Sequence, residues 1–377
     1  MNFWIDVTNT CKSAINTGVP RTVRGIYQIL QQYGQVTPLR WDHPSQSYCR
    51  LTPTEQRALD GDLSAHPSKF WRPLVRIFNK IDLLSKMEKD DFFVQVEIFQ
   101  DRRNEWIHQH VSQFKSIAVF HDAIAWTHPE LTAPQRRPRF DDYMNSLHAF
   151  THVISISEAS GEALRHHWKE NHLDASKKIT IIPWPTEFPD MAPKSNSSSS
   201  LKEILTISTL EQRKNHLRLL HACEKLWSKG LSFKLRVLGK KCPFWGDRVV
   251  QEIKRLQDQG RLISWENQVS DEELHAAYQS SYFTIYPSIV EGFGLPILES
   301  LWHHRPCICS YTGAIAETAK AGGCLTVDVH SQDAMAEAME SLLTQDALYH
   351  QLQSQTESMS FMSWEDYGKK FREVLLS

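Results

Sequence analysis

No stretch of the chain is long and apolar enough to span a bilayer, and its first residues, MNFWIDVTNT, have neither the basic start nor the apolar core of a secretion signal. Neither a membrane-embedded nor an exported protein is expected, and the chain reads as cytoplasmic. Charge of one sign is lacking too: 42 Lys and Arg face 44 Asp and Glu, a net −2, which removes the electrostatic case for nucleic acid as a partner. The cysteines number seven and lack paired metal-type spacing, so they read as reduced thiols, with Cys307 and Cys309 as buried filler along a strand. The sequon Asn196-Ser197-Ser198 carries no weight without an export signal. Asp60-Gly61-Asp62 follows a polar helical stretch rather than a buried strand, so it reads as a turn, and no metal ligand is expected.

What is present is a soluble globular composition, 41% hydrophobic and 23% charged over 377 residues, a length that suits two domains. Short apolar, β-branched runs alternate with helical periodicity, which predicts an α/β fold of doubly wound sheets. Strands are expected at 3–7, 92–99, 117–120, 152–156 and 178–183, then at 204–208, 234–239, 262–265, 283–287, 305–310 and 324–327. The spacing predicts helices over 19–33, with Val23, Ile26, Tyr27 and Leu30 on one face, over 54–63, 70–86, 216–227, 247–257 and 333–343, and over 364–375. The aromatic and cationic run Phe70–Phe78 reads as a packed helix with exposed Arg. Four prolines and a serine run between Pro183 and Ser200 cannot build a core and mark a boundary. The expected division is a first domain over 1–186, a linker over 187–200, a second domain over 201–360 and a terminal segment over 361–377.

The most informative stretch is Phe283 to Ser310, two strand patterns joined by a glycine-bearing turn and a helix start. Gly292 and Gly294 permit unusual backbone angles and a close approach of ligand, and Pro296 suits a first helical turn. Such a helix start is expected to aim free amides and its positive dipole end at an anion. Glu291 and Glu299 bracket the turn with seven residues between them; carboxylates repel phosphate, so these are expected to face hydroxyls. Two further segments have related chemistry. Gly18-Val19-Pro20-Arg21 opens a helix after the first strand, and Arg213-Lys214 opens one after the strand at 204–208, where two cations would neutralise a diphosphate. His121-Asp122 follows the strand at 117–120, just beyond its carboxyl end. Asp122 would orient the imidazole or cap the next turn.

Together these segments resemble the retaining glycosyltransferases of family four. The resemblance rests on E-x7-E with EGFGLP between, on Thr17-Gly18-Val19-Pro20-Arg21, on His121-Asp122-Ala123-Ile124, on Ile154–Ser160 and on Glu211-Gln212-Arg213-Lys214-Asn215. It departs from the family at Ser208, where a Gly is usual, and Arg40 to Lys115 match poorly. The resemblance implies a GT-B fold, two Rossmann-like domains facing a central cleft, with the terminal helix returning to the first. It implies that Glu291 contacts the donor sugar and Glu299 the nucleotide ribose, that His121 contacts the donor sugar, and that Arg213, Lys214 and the Gly18 and Arg21 loop hold the diphosphate. Gly292, Phe293, Gly294 and Leu295 would complete the donor site, and the turn after the strand at 262–265 would lie near the nucleobase. His121, Arg213, Lys214 and Glu291 are the expected catalytic set.

The implied reaction moves a sugar from a nucleotide diphosphate donor to a hydroxyl with retention of configuration and needs no metal or other cofactor. The motif combination is closest to bacterial enzymes of O-antigen and other surface polysaccharides. On that likeness the donor is GDP-mannose, and the acceptor a glycan or lipid-linked glycan met by peripheral association with the inner face of the cytoplasmic membrane. A sugar-nucleotide epimerase of the same fold and an inactive nucleotide-sugar or glycan-binding subunit stay open as alternatives.

Overall fold

The computed structural model describes residues 1–12, 18–62, 81, 83–132, 137–186 and 201–377. The chain divides into two compact units, Met1–Pro185 with Ser363–Ser377, and Thr186–Met362. The expected linker, 187–200, and the run Phe70–Phe78 lie outside the described residues.

The first unit is a seven-stranded sheet in the order β3-β2-β1-β4-β5-β6-β7. Its strands are β1 (Asn2–Asp6), β2 (Gln35–Asp42), β3 (Ser47–Arg50), β4 (Phe92–Gln95), β5 (Lys115–Phe120), β6 (His152–Ser155) and β7 (Ile179–Ile181). All pairings are parallel except β2 with β3. Central strands are covered on both faces, which is why Phe3, Ile5, Phe93, Val94, Ile117 and Ala118 are all fully buried. The hairpin β2–β3 lacks the apolar run of a buried strand, because β2 alternates apolar residues with Arg40 and Asp42, charges that become acceptable inside only through their partners. Arg40 pairs with Glu55 at 3.1 Å and with Asp42 at 3.6 Å. The expected strand 92–99 stops at Gln95, because the carbonyl of Val96 is taken by His121 and that of Glu97 by Gln95.

Val19–Tyr33 is a helix whose buried face includes Val23, Ile26, Tyr27 and Leu30. The terminal helix Trp364–Leu376 packs against it within the same unit. Gly25 makes this possible, since a Cβ there would stand 2.1 Å from the Trp364 ring. The shorter helix Pro53–Leu59 opens with a capping box, Thr52 to Glu55, and ends in the turn at Asp60 and Gly61, the latter at φ 92°.

The second unit is a fully parallel six-stranded sheet, β10-β9-β8-β11-β12-β13. Its strands are β8 (Glu203–Ile207), β9 (Lys234–Leu238), β10 (Ile263–Glu266), β11 (Phe283–Tyr286), β12 (Cys307–Ser310) and β13 (Cys324–Val327). The winding reverses between β8 and β11, the Rossmann order, so the loops leaving their carboxyl ends part and leave a crevice. Helices His216–Ser228 and Gln332–Thr344 pack together over one core that holds Ile204, Leu235, Phe283 and Ile308. Each such side chain, fully buried, contributes ~1.5–3 kcal/mol. Asp271–Ser280 begins with a capping box, Ser270 to Glu273. Cys307 and Cys309 are buried in β12 among apolar neighbours.

Candidate functional site

The crevice of the second unit is lined by two loops, Ser208–Asn215 after β8 and Pro287–Gly294 after β11. Residue 208 follows β8 so closely that a Cβ on Gly239 would lie 1.8 Å from the Ser208 carbonyl oxygen. The close backbone approach is therefore made by Gly239, and Ser208 keeps its side chain, whose hydroxyl meets His216 Nε2 at 3.0 Å. The chain then makes one turn of 3-10 helix, Gln212–Lys214, and reverses at Asn215 in the left-handed region, φ 61°. Asn215 is fixed there by its Nδ2 donating to the Val329 carbonyl at 2.7 Å. The second loop is tied to the first by the amide of Ile289 donating to the carbonyl of Arg213 at 2.8 Å.

These constraints aim three charged groups at one point. Arg213 Nη1 donates to Glu291 Oε2 at 2.5 Å, and Lys214 Nζ to Glu291 Oε1 at 2.5 Å. Arg213 Nε also binds Glu211 at 3.0 Å, and Lys214 Nζ binds the Tyr286 hydroxyl at 2.8 Å while lying 4.9 Å from that ring's centre. The Lys214 and Glu291 side chains are 9% and 10% exposed, so the pair is not a solvated surface bridge. Burial alone would push the Glu291 carboxyl up, but Lys214 and Arg213 overcome it and hold the pKa at about 2. Burial lowers Lys214 despite the opposing charge of Glu291, and burial beside Lys214 drops His216 to about 3, leaving it neutral. Arg213, Lys214 and Glu291 are thus joined in one cluster.

Gly294 sits at φ 118° as the cap of helix Leu295–Trp302. The first turn has fewer free amides than the dipole reading expects: Pro296 has none, and the amide of Ile297 is spent on the Gly294 carbonyl at 3.0 Å. Phe293 is half-buried, its carbonyl accepting from Thr318 Oγ1 at 2.9 Å. Gly292 is buried in the turn between Glu291 and Gly294. Glu299 is buried within the helix and accepts from the Tyr278 hydroxyl at 2.9 Å. Tyr278 stacks on His303, whose Nδ1 donates to the Glu299 carbonyl at 2.7 Å.

In the first unit, His121 leaves the end of β5 and is 4% exposed. Its Nε2 donates to the Val96 carbonyl at 2.6 Å and its ring lies 5.6 Å from that of Trp184. Burial lowers its pKa, so the ring is neutral and Nδ1 carries the lone pair. Asp122 Oδ1 accepts from the Ile124 amide at 2.9 Å, and its charge also acts on the His121 ring. Gly18, at φ 53°, caps helix Val19–Tyr33, and Arg21 lies in that helix's first turn. Ile15, Asn16 and Thr17 of the same loop lie outside the described residues.

Three side chains were not singled out from the sequence. Tyr286, the last residue of β11, holds Lys214, and Glu211 holds Arg213; position at a strand's carboxyl end was the one available signal for the tyrosine. Glu97, just past β4, is the third. Its two oxygens accept from the amides of Asn9 and Thr10 at 2.7 and 2.6 Å. Burial and the charge of Asp6 push its pKa up to about 7 against those hydrogen bonds. Asp6 in turn receives Arg103 Nη1 at 2.9 Å and the Tyr48 hydroxyl at 3.1 Å. Among the described residues no group of three His, Cys, Asp or Glu could hold a metal ion, and no helix is long and apolar enough to cross a membrane.

Comparison with known proteins follows the same lines. Residues 187–359 match the family described as glycosyl transferases group 1. The serotype-specific mannosyltransferase WbdA of Escherichia coli is 24% identical over 385 aligned residues, covering 96% of this chain and 43% of WbdA. The O-antigen chain mannosyltransferase B of E. coli is 33% identical over 140 residues, 37% of this chain and 36% of that protein. The chain thus spans less than half the length of WbdA, and its match to mannosyltransferase B covers about a third of either protein. Among solved structures, the sucrose-phosphate synthase of Thermosynechococcus elongatus superposes with a TM-score of 0.69 at 14% identity over 99% of this chain and 98% of that one. The lipopolysaccharide outer core galactosyltransferase WaaB superposes with a TM-score of 0.66 at 11% identity over 100% and 99%. The fold is the GT-B fold that the motifs implied.

Proposed function

We propose that this chain, a GT-B protein carrying a glycosyl transferases group 1 domain, transfers a sugar from a nucleotide diphosphate donor to a hydroxyl of a glycan or lipid-linked glycan, with retained configuration. The observation that carries the reading is the cluster of Arg213, Lys214 and Glu291 at the switch point between β8 and β11, where an α/β sheet binds its ligand.

In the reaction the bond from the anomeric carbon to the diphosphate oxygen breaks, and a bond to the acceptor oxygen forms on the same face. The acceptor proton passes to a phosphate oxygen of the leaving group. Charge grows on the diphosphate through an oxocarbenium-like state, and Arg213 and Lys214, fixed in advance by Glu211 and Tyr286, meet it. One preorganised donor of this kind is worth roughly 10²–10³ in rate, so two cations, with the backbone of Gly292–Leu295, supply the stabilisation a metal would otherwise provide. Glu291 accepts from a donor-sugar hydroxyl, and Glu299 binds the ribose.

GDP-mannose is the proposed donor, on the likeness to the mannosyltransferases and on the motif combination. The proposed setting is surface polysaccharide synthesis in the cytoplasm, at the inner membrane face. The test is release of nucleoside diphosphate from a panel of GDP-, UDP- and dTDP-sugars with short mannosides as acceptors, for the wild type and Glu291→Ala. Acceptor-dependent release from GDP-mannose, lost in the variant, is the expected result. Release that ignores the acceptor, or that survives the substitution, overturns the reading.

A further inference from the structure

We propose that Glu291 is an internal competitor for the donor diphosphate, an electrostatic latch that occupies the two cations in the empty site, leaves them for a nucleotide sugar, and returns to expel the sugarless nucleoside diphosphate. The inference rests on the reading of Arg213 and Lys214 as diphosphate ligands and adds a second role for the carboxylate.

The geometry of the three groups is the basis. Each oxygen of Glu291 is taken by a different cation, Oε2 by Arg213 and Oε1 by Lys214. A carboxylate and a pair of phosphate oxygens are equivalent acceptors for these N–H groups, so the same donors cannot serve both at full strength. One party must give way, and the restraints indicate which. Arg213 is also held by Glu211, Lys214 by Tyr286, and the loop that carries them by Ile289 and by Asn215 on Val329. Glu291 stands in the loop after β11, outside any regular element, its carboxylate held by the two cations. The carboxylate is the group that turns.

The consequence depends on what the ligand offers in exchange. A nucleotide sugar takes the cations with its diphosphate and presents sugar hydroxyls to the displaced carboxylate, so the ion pairs lost are offset by new hydrogen bonds. A nucleoside diphosphate, or inorganic pyrophosphate, takes the cations and leaves the carboxylate buried with nothing to accept from. Glu291 therefore discriminates against the product at the moment the sugar has left. Its depressed pKa, about 2, keeps the latch charged at every physiological pH.

The test compares binding of GDP, UDP, dTDP and inorganic pyrophosphate by calorimetry to the full chain as wild type, Glu291→Gln and Arg213→Ala. The latch predicts that Glu291→Gln binds the preferred nucleoside diphosphate, and pyrophosphate, about tenfold or more tightly than wild type, while Arg213→Ala binds them more weakly. Unchanged or weaker binding to Glu291→Gln, with Arg213→Ala still weakened, overturns the latch and leaves the site reading standing. Equal binding to Arg213→Ala and wild type, or no binding to any of the three proteins, overturns both. Because Glu291→Gln leaves Lys214 without a carboxylate and Arg213 with Glu211 alone, it is expected to lower stability, and the unfolding temperature is read as well. Pyrophosphate should raise it more in Glu291→Gln than in wild type, and an equal or smaller rise refutes the latch.

Discussion

Replacing Glu291 by Gln keeps the shape of the side chain and removes the charge that Arg213 and Lys214 share. The Glu291 pKa is about 2 in the folded protein against an ordinary 4.5, the cations having overcome the upward push of burial. A carboxylate depressed to that extent contributes ~3 kcal/mol of folding stability once ionised. Because the folded value lies below the unfolded one, this contribution is complete above about pH 5 and drains away as pH falls toward 2. Between about pH 6 and about pH 3.5 the wild type should lose about 1 kcal/mol through this group alone, while the Gln variant loses nothing through it. At about pH 6 the variant should be less stable by ~3–5 kcal/mol, the usual result of breaking a buried pair from one side, and the gap should narrow as the medium is acidified. Two units need not unfold together, so the quantity to follow is hydrogen exchange in peptides covering β8 and β11, with both proteins compared at the same pH. A gap that stays constant from about pH 6 to about pH 3.5, or a variant as protected as wild type at the higher value, refutes the ionised cluster as a source of stability.

Other outcomes follow from single contacts. His121→Phe keeps a ring against Trp184 but has no nitrogen; the Val96 carbonyl loses its donor, so the unfolding temperature should fall, and turnover measured below it in the release assay should drop roughly 10- to 100-fold; unaltered turnover argues against the sugar contact that the resemblance implies for His121. Gly239→Ala places a methyl 1.8 Å from the Ser208 carbonyl oxygen, a backbone atom that cannot yield cheaply. It should destabilise the second unit by ~3 kcal/mol or more and abolish nucleotide binding, checked by exchange and calorimetry. Gly25→Val puts a Cβ 2.1 Å from the Trp364 ring, so the terminal helix should detach and become cleavable near Ser363 in limited proteolysis while exchange in β8 to β13 is unaffected. Glu97 has its folded pKa raised to about 7, so stability from its protonated form is full below about pH 4.5 and lost as pH rises through 7. Exchange of the first unit in Glu97→Gln should therefore lack the loss of protection that wild type shows on going from about pH 5 to about pH 8.

Much of this molecule is written locally. Buried parallel strands announce themselves as short apolar runs, so β1, β5, β6 and all six strands of the second sheet are legible, as are the Ser270 capping box and the Gly294–Pro296 helix start. The motif residues could be named one by one because each stands just beyond the end of such a strand. Periodicity reports burial and local geometry, however, and is silent on which distant groups meet. Glu291 lies 78 residues from Arg213 in the chain and touches it only because the sheet reverses its winding between β8 and β11. The sharing of one carboxylate between two cations, the hold of Tyr286 on Lys214 and the elevated pKa of Glu97 beside Asp6 are properties of that arrangement. So is the hairpin β2–β3, whose buried Arg40 and Asp42 look like surface residues until Glu55 is brought beside them. Charge is where the two levels part: the electrostatic energy of an ionisable side chain is decided by neighbours and burial that only the folded chain creates.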